Sequence, residues 1–139
     1  MKILILNGAN LNLLGTREPD IYGSTSMDDV LTHLKSEYSQ HDIEYIQSNL
    51  EREIIRKIQE NDFDALIINP GAFTHYSYAI ADALKNLRKP KIEVHISNIY
   101  QREEFRQKSV TAAYTDAVLS GFGTEGYRLA IIHLISTMQ

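Results

Sequence analysis

A tyrosine and an arginine share a long loop near the start of this chain. The segment Leu13-Leu14-Gly15-Thr16-Arg17-Glu18-Pro19-Asp20-Ile21-Tyr22-Gly23 exceeds the roughly two to six residues usual between a strand and its helix. Gly15 and Gly23 bracket it as the hinges of a lid would. A phenol, with a pKa near about 10, is a poor base at neutral pH. A guanidinium close by favours the phenolate, so Tyr22 beside Arg17 could act as a general base. The ordinary alternative is a solvated loop whose tyrosine packs inward. Elsewhere stand Asn7, Gly8, Asn10 and Asn12, then Asn69-Pro70-Gly71 with Thr74 and His75, then His95, Ser97 and Asn98. Arg102 and Arg106 sit four residues apart. On a helix, like charges at that spacing are mildly unfavourable unless an anion lies between them. Each signal alone has an ordinary reading: a turn, a core histidine, a solvated charged face. Amides, imidazoles and guanidiniums together suit a small, anionic, hydroxyl-rich ligand.

The surrounding elements decide whether these groups meet. Strands are expected at 2–6, 43–47, 65–69, 91–96 and 117–120, where short aliphatic runs end in polar or turn residues. Between them the apolar period becomes helical. Met27, Val30, Leu31, Leu34 and Tyr38 form one stripe, with Thr25 or Ser26 as cap and Asp28 and Asp29 in the positive first turn. A second helix over 50–61 has Asn49 as cap and Leu50, Ile54, Ile55 and Ile58 as its stripe. A third, over 77–87, turns Ile80, Ala83, Leu84 and Leu87 inward; a short one is expected at 102–108. The last, over 124–137, has Tyr127, Ala130, Ile131, Leu134, Ile135 and Met138 as its stripe. Strands alternating with helices predict an α/β, three-layer fold around a parallel sheet. Five strands suggest the flavodoxin-like order 2-1-3-4-5 in one domain, 1–139. Ligands of such sheets bind at the carboxyl ends of the strands, where all the groups above fall. The opposite ends carry Asp42, Asp62, Asp64, Lys89 and Lys91, which read as solvated turns.

Several function classes drop out. The 139 residues contain no cysteine, which removes thiolate nucleophiles, disulfides and Cys-ligated zinc. Of five histidines only His75 and His95 fall at the ligand edge, so no metal site is expected. A net charge of −4 is too small to suggest a nucleic-acid partner. The N-terminus reads as a strand, not a secretion signal, and no apolar stretch approaches membrane-spanning length; the expected location is cytoplasmic. Gly121-Phe122-Gly123-Thr124-Glu125-Gly126 matches a dinucleotide fingerprint, yet only 13 residues follow it, too few for the second strand and its acidic residue. It is expected to make a tight turn from strand to helix. A phosphoacceptor domain wants Asp where this chain has Asn7 and Asn69, and a flavin site wants a Ser/Thr-rich first loop.

Seven blocks, in order, resemble the type II 3-dehydroquinate dehydratase family over nearly the whole chain. They are Leu-Asn-Gly-Ala-Asn-Leu-Asn at 6–12, Leu-Gly-Thr-Arg-Glu-Pro at 14–19, Ile-Tyr-Gly at 21–23, Ile-Asn-Pro-Gly-Ala-Phe-Thr-His at 68–75, Glu-Val-His-Ile-Ser-Asn at 93–98, Arg-Glu-Glu-Phe-Arg at 102–106 and Gly-Tyr-Arg-Leu-Ala at 126–130. The resemblance implies anti elimination of water from 3-dehydroquinate to give 3-dehydroshikimate through an enolate, with neither cofactor nor Schiff base. It implies that Tyr22 takes the C2 proton and that Arg17 depresses its pKa. Asn12 would hold a water that stabilises the enolate. His95 would protonate the departing hydroxyl, with Glu93 orienting or tuning it. Asn69, His75, Ile96 and Ser97 would bind the carboxylate and ring hydroxyls, Arg106 the ring hydroxyls, and Arg102 would help close the lid. Asp82 would reach a neighbouring subunit's site, and trimers would assemble into dodecamers. The chain departs from the family at Gln101 and over Ala113-Tyr114-Thr115-Asp116-Ala117, where a proline, an alanine and a glycine are usual. A binding module that kept the pocket without turnover, or an assembly protein, are the competing readings.

Overall fold

The computed structural model describes residues 1–16, 20 and 25–138. Five parallel strands run β1 (Lys2–Asn7), β2 (Asp42–Gln47), β3 (Ala65–Asn69), β4 (Lys91–His95) and β5 (Ala117–Ser120). Their order is β2-β1-β3-β4-β5, as expected. Among the described residues three α-helices connect strands, α1 (Met27–Glu37), α2 (Glu51–Glu60) and α3 (Tyr78–Asn86), and a fourth, α4 (Glu125–Met138), follows β5. Short 3₁₀ turns occupy Leu11–Leu13, Gly71–His75, Ile99–Gln101, Glu104–Arg106 and Ala112–Tyr114. Among the described residues no helix is long and apolar enough to cross a membrane.

The alternation of side chains along a strand divides the core in two. Ile3 and Ile5 of β1, Ala65 and Ile67 of β3, and Ile92 and Val94 of β4 pack beneath α1 and α4. Leu4, Leu6, Leu66 and Ile68 face α2 and α3, against Ile54, Ile58, Ile80 and Leu84. The same parity fixes the polar residues at the strand ends. Asn7 and Asn69 continue the rows that face α4, whereas Glu93 and His95 alternate onto the α3 side. Register completes the placement, with Asn7 opposite Asn69 and Glu93 opposite Ile68.

Helix entry follows local hydrogen-bond chemistry. Ser26 caps α1, accepting from Asp29 N at 3.2 Å, with Asp28 and Asp29 in the first turn. Ser77 caps α3 by accepting from Ile80 N, and its hydroxyl donates to Glu51 at 2.6 Å, tying α3 to α2. Asn49 does not cap α2. Its Oδ1 accepts instead from Asn10 N at 2.9 Å and Gln47 Nε2 at 3.1 Å, which anchors the start of the first loop. The entry to α2 is held by Ser48, which accepts from Leu50 N and donates to Glu53. Leu50 consequently lies before the helix and is 47% exposed, outside the stripe expected for it. At the far end of the chain Met138 is also exposed.

The expected helix over 102–108 is a single 3₁₀ turn, Glu104–Arg106. Arg102 precedes it with an extended backbone, so the two arginines do not share a helical face. The Gly121–Gly126 segment makes the tight turn expected of it: Gly121 and Gly123 have φ of 94° and 62°.

One glycine holds the carboxyl ends of β1 and β3 together. Gly8 N donates to Asn69 O at 2.8 Å, and a Cβ on Gly8 would lie 2.1 Å from the Pro70 carbonyl oxygen. That oxygen belongs to backbone that cannot yield without breaking the ladder. Gly8→Ala is expected to destabilise the protein by about 1–3 kcal/mol or more, read as a lower urea midpoint. A change within about 0.5 kcal/mol, ordinary for an uncrowded surface site, would show that the strand ends part freely.

Candidate active site

The carboxyl ends of β1, β3 and β4 enclose a cavity of about 50 Å³. Its lining brings together Asn69, His75, His95, Ile96, Ser97, Arg102 and Arg106, seven of the residues singled out in the sequence. The turn Gly71–His75 follows β3 directly and delivers His75 to the rim. The extended backbone at Arg102 and the turn after it deliver both arginines to the same cavity without a shared helix. A larger depression of about 710 Å³ adjoins it over the Gly121–Glu125 turn and shares Ile96, Ser97 and Arg102. The smaller cavity holds both imidazoles, so it is where proton transfer can occur; the larger one is an open approach beside it.

His95 is buried, and its Nε2 lies 2.7 Å from Glu93 Oε2. Glu93 is fully buried within β4. Three hydroxyls converge on its carboxylate from two other parts of the chain. Thr111 donates to Oε1, Ser109 to Oε2 at 2.9 Å, and Thr74 approaches Oε2 at 3.3 Å. The hydroxyls also touch one another, Thr74 to Ser109 at 2.7 Å and Thr74 to Thr111 at 2.8 Å. Burial pushes the carboxyl up, but the bonds from His95, Thr111 and Ser109 and the charge His95 can carry outweigh it. Glu93 is held below the usual carboxylate range. An ionised carboxylate only accepts, so His95 Nε2 must be the donor and its Nδ1 is the nitrogen left for the cavity.

His75 is turned the other way. Its Nδ1 donates to Lys108 O at 2.7 Å, which leaves Nε2 for a ligand. Burial lowers its pKa; the Lys108 carbonyl opposes this, while the charges of His95, Arg106 and Arg102 lower it further. A neutral imidazole in a cationic cavity suits hydrogen bonding to hydroxyls. Arg106 pairs with Glu103 at 2.8 Å and stacks its guanidinium over Phe105, 4.8 Å from the ring centre.

Beneath the cavity floor, on the α4 side, lies a second buried network. Tyr127 donates to Asn7 Oδ1 at 2.8 Å and accepts from Asn69 Nδ2 at 3.0 Å. Asn69 Oδ1 accepts from Gly71 N at 3.1 Å.

Not every expected residue joins the site. Asn12 is exposed and lines a separate depression with Tyr45 and Gln47. Asp82 lies on the exposed side of α3, away from the cavity. Arg17 and Tyr22 lie outside the described residues. Conversely, Thr111, Ser109 and Tyr127 carried no site signal in the sequence. Two small hydroxyl residues in a connection read as loop, and a tyrosine within an apolar helical stripe reads as core. The available clue was chemical: a buried phenol needs a hydrogen-bond partner.

Glu93 makes stability depend on pH in a definite direction. Its folded pKa is depressed, so its contribution is present above the unfolded value, about 4.3, and is lost as pH falls through the lower folded value. Thr111→Val removes the donor to Oε1 at nearly constant volume. It should cost about 1–3 kcal/mol at neutral pH, and the gap to the parent should narrow below about pH 4 as Glu93 becomes protonated. Urea unfolding at both pH values checks this; an equal loss at both would contradict it.

The comparisons agree over the full length. Residues 1–135 match the family model described as Dehydroquinase class II. A 3-dehydroquinate dehydratase of Thermotoga petrophila is 52% identical over 141 residues, covering 100% of this chain and 98% of its own. The type II dehydroquinase structure from Propionibacterium acnes superposes with a TM-score of 0.92 at 45% identity, over 97% of this chain and 96% of the other. That from Butyrivibrio crossotus gives 0.93 at 48% identity, over 97% of each. With a family-model match over residues 1–135 and sequence identity near one half over nearly the whole chain, the chain belongs to the class II dehydroquinase family.

Proposed function

We propose that this chain is a hydro-lyase that converts 3-dehydroquinate to 3-dehydroshikimate; the name of its Thermotoga relative, 3-dehydroquinate dehydratase, supports this reading. The observation that carries this reading is the buried Glu93–His95 pair at a cavity flanked by Arg102 and Arg106. Water leaves a β-hydroxy ketone in two proton transfers. A base first takes the proton from C2, and the electron pair moves into the C3 carbonyl to give an enolate. The enolate then collapses, forms the C1–C2 double bond and expels the C1 hydroxyl, which takes a proton and departs as water.

Tyr22 is the proposed base, activated by Arg17. His95 is the proposed acid. Giving up a proton through Nδ1 requires a doubly protonated ring, whose other N–H already faces ionised Glu93. Asn12 holds the water that stabilises the enolate oxygen. Asn69, His75, Ile96 and Ser97 hold the carboxylate and ring hydroxyls, and Arg106 adds a donor to the hydroxyls. Arg102 helps to close the site. The whole chain forms one catalytic domain. Asp82, exposed on α3, completes a neighbouring subunit's site in an assembly of trimers that builds a dodecamer, which accounts for its distance from the cavity of its own chain.

The test is the growth of enone carboxylate absorbance when the protein, treated with EDTA, meets 3-dehydroquinate. The parent should turn over, and Tyr22→Phe should lose about 10²–10⁴-fold in kcat, the size of a general-base contribution. Folded protein that binds the substrate without turnover would favour a binding module. Near-parental activity in Tyr22→Phe would remove Tyr22 as the base.

A further inference from the structure

We infer that Tyr127 is a positioning residue for the ligand: its buried phenol, clamped between Asn7 and Asn69, aims the Asn69 amide into the cavity. The inference rests on the proposed role of Asn69 in holding the substrate.

The polarity of the network follows from one backbone group. Gly71 N–H can only donate, so the Asn69 atom 3.1 Å away is Oδ1. That orientation puts Asn69 Nδ2 against the phenol oxygen at 3.0 Å, which must accept. The phenol's own proton therefore goes to Asn7 Oδ1 at 2.8 Å. Asn7 Nδ2 is then left facing the Tyr45 hydroxyl at 3.4 Å. Every group has one possible role, and the chain has one direction. Burial raises the Tyr127 pKa above its ordinary value, which favours the protonated phenol that this polarity requires.

The network spends one of the two Asn69 Nδ2 protons and one of the two Oδ1 lone pairs. Asn69 is almost completely buried, yet it borders the cavity beside His75 and His95. Its unused N–H and lone pair are thus held at fixed angles where a hydroxyl or carboxylate would sit. Tyr127 itself is fully buried and does not line the cavity; it acts through Asn69. Without the phenol oxygen, Asn7 Oδ1 and Asn69 Nδ2 lose their common partner, and the Asn69 amide keeps one anchor, Gly71 N on Oδ1, instead of two.

The test is a double-mutant cycle of Tyr127→Phe and Asn69→Ala, with kcat and KM for 3-dehydroquinate and the melting temperature measured for all four proteins. Tyr127→Phe should lower kcat/KM by about 5–30-fold, the range of one or two kcal/mol, with the loss mainly in KM. In the Asn69→Ala background it should leave kcat/KM unchanged while still lowering the melting temperature. The same fold-loss in both backgrounds would overturn the inference and leave the phenol a purely structural group. Unchanged kcat/KM in Asn69→Ala alone would instead remove the substrate-holding role beneath it. If Tyr127→Phe is too unstable to assay, Asn7→Ser disturbs the same chain more gently and should show the same background dependence.

Discussion

A carboxylate buried inside a parallel sheet is costly to keep ionised unless donors replace the water it has lost. Glu93 meets this requirement with His95 from its own strand and hydroxyls from Thr74, Ser109 and Thr111. Those partners come from the turn after β3 and from the connection into β5. Satisfying one charge therefore fixes the relative position of three separate stretches of chain. It also determines which ring nitrogen of His95 faces the cavity, because an acceptor-only neighbour leaves no choice at the other nitrogen. Removing a single hydroxyl would leave the carboxylate under-solvated and the ring less constrained.

The period of two along the strands places the second polar network on the opposite face of the sheet. Asn7 and Asn69 lie in the rows covered by α4, so Tyr127 can reach both from above. Glu93 and His95 lie in the rows that face α3 and are covered beyond that helix by turn and loop residues. The two networks meet only at the rim, where Asn69 and His95 border one cavity. His75, Arg102 and Arg106 are carried on short turns and extended residues at that rim, while both networks are rooted in strands. A rigid sheet with adaptable turns at one end is the common division of labour in folds of this kind.

Much of this was legible in the sequence. The five strands were recoverable to within a residue or so at either end because each is a short aliphatic run with a clear stop. The parallel sheet followed from the alternation of strand and helix, and five strands suggested the order observed. Thr25 and Ser26 were both candidate caps ahead of Asp28 and Asp29, and the hydrogen bond from Asp29 N selects Ser26. Asn49 misled because its type suits a cap, whereas its side chain is claimed by Asn10 and Gln47, a tertiary contact that no local pattern reveals. Arg102 and Arg106 reached the same cavity, but by an extended residue and a 3₁₀ turn, since two charges four apart report spacing and not backbone conformation. The Ser109 and Thr111 hydroxyls at Glu93 and the Tyr127 phenol at Asn69 were hidden for a related reason: their partners lie between 16 and 120 residues away. Arg17 and Tyr22 stood out as a guanidinium and a phenol in one long loop, and the family resemblance then gave them their roles.

An ionised Glu93 holds His95 through Nε2 and leaves Nδ1 facing the cavity. The most direct measurement is the ¹⁵N spectrum of the His95 side chain in the ligand-free protein at neutral pH. Nε2 should carry a proton, with Nδ1 bare or protonated. A ring protonated on Nδ1 alone would require Glu93 to be the donor, and would contradict this arrangement.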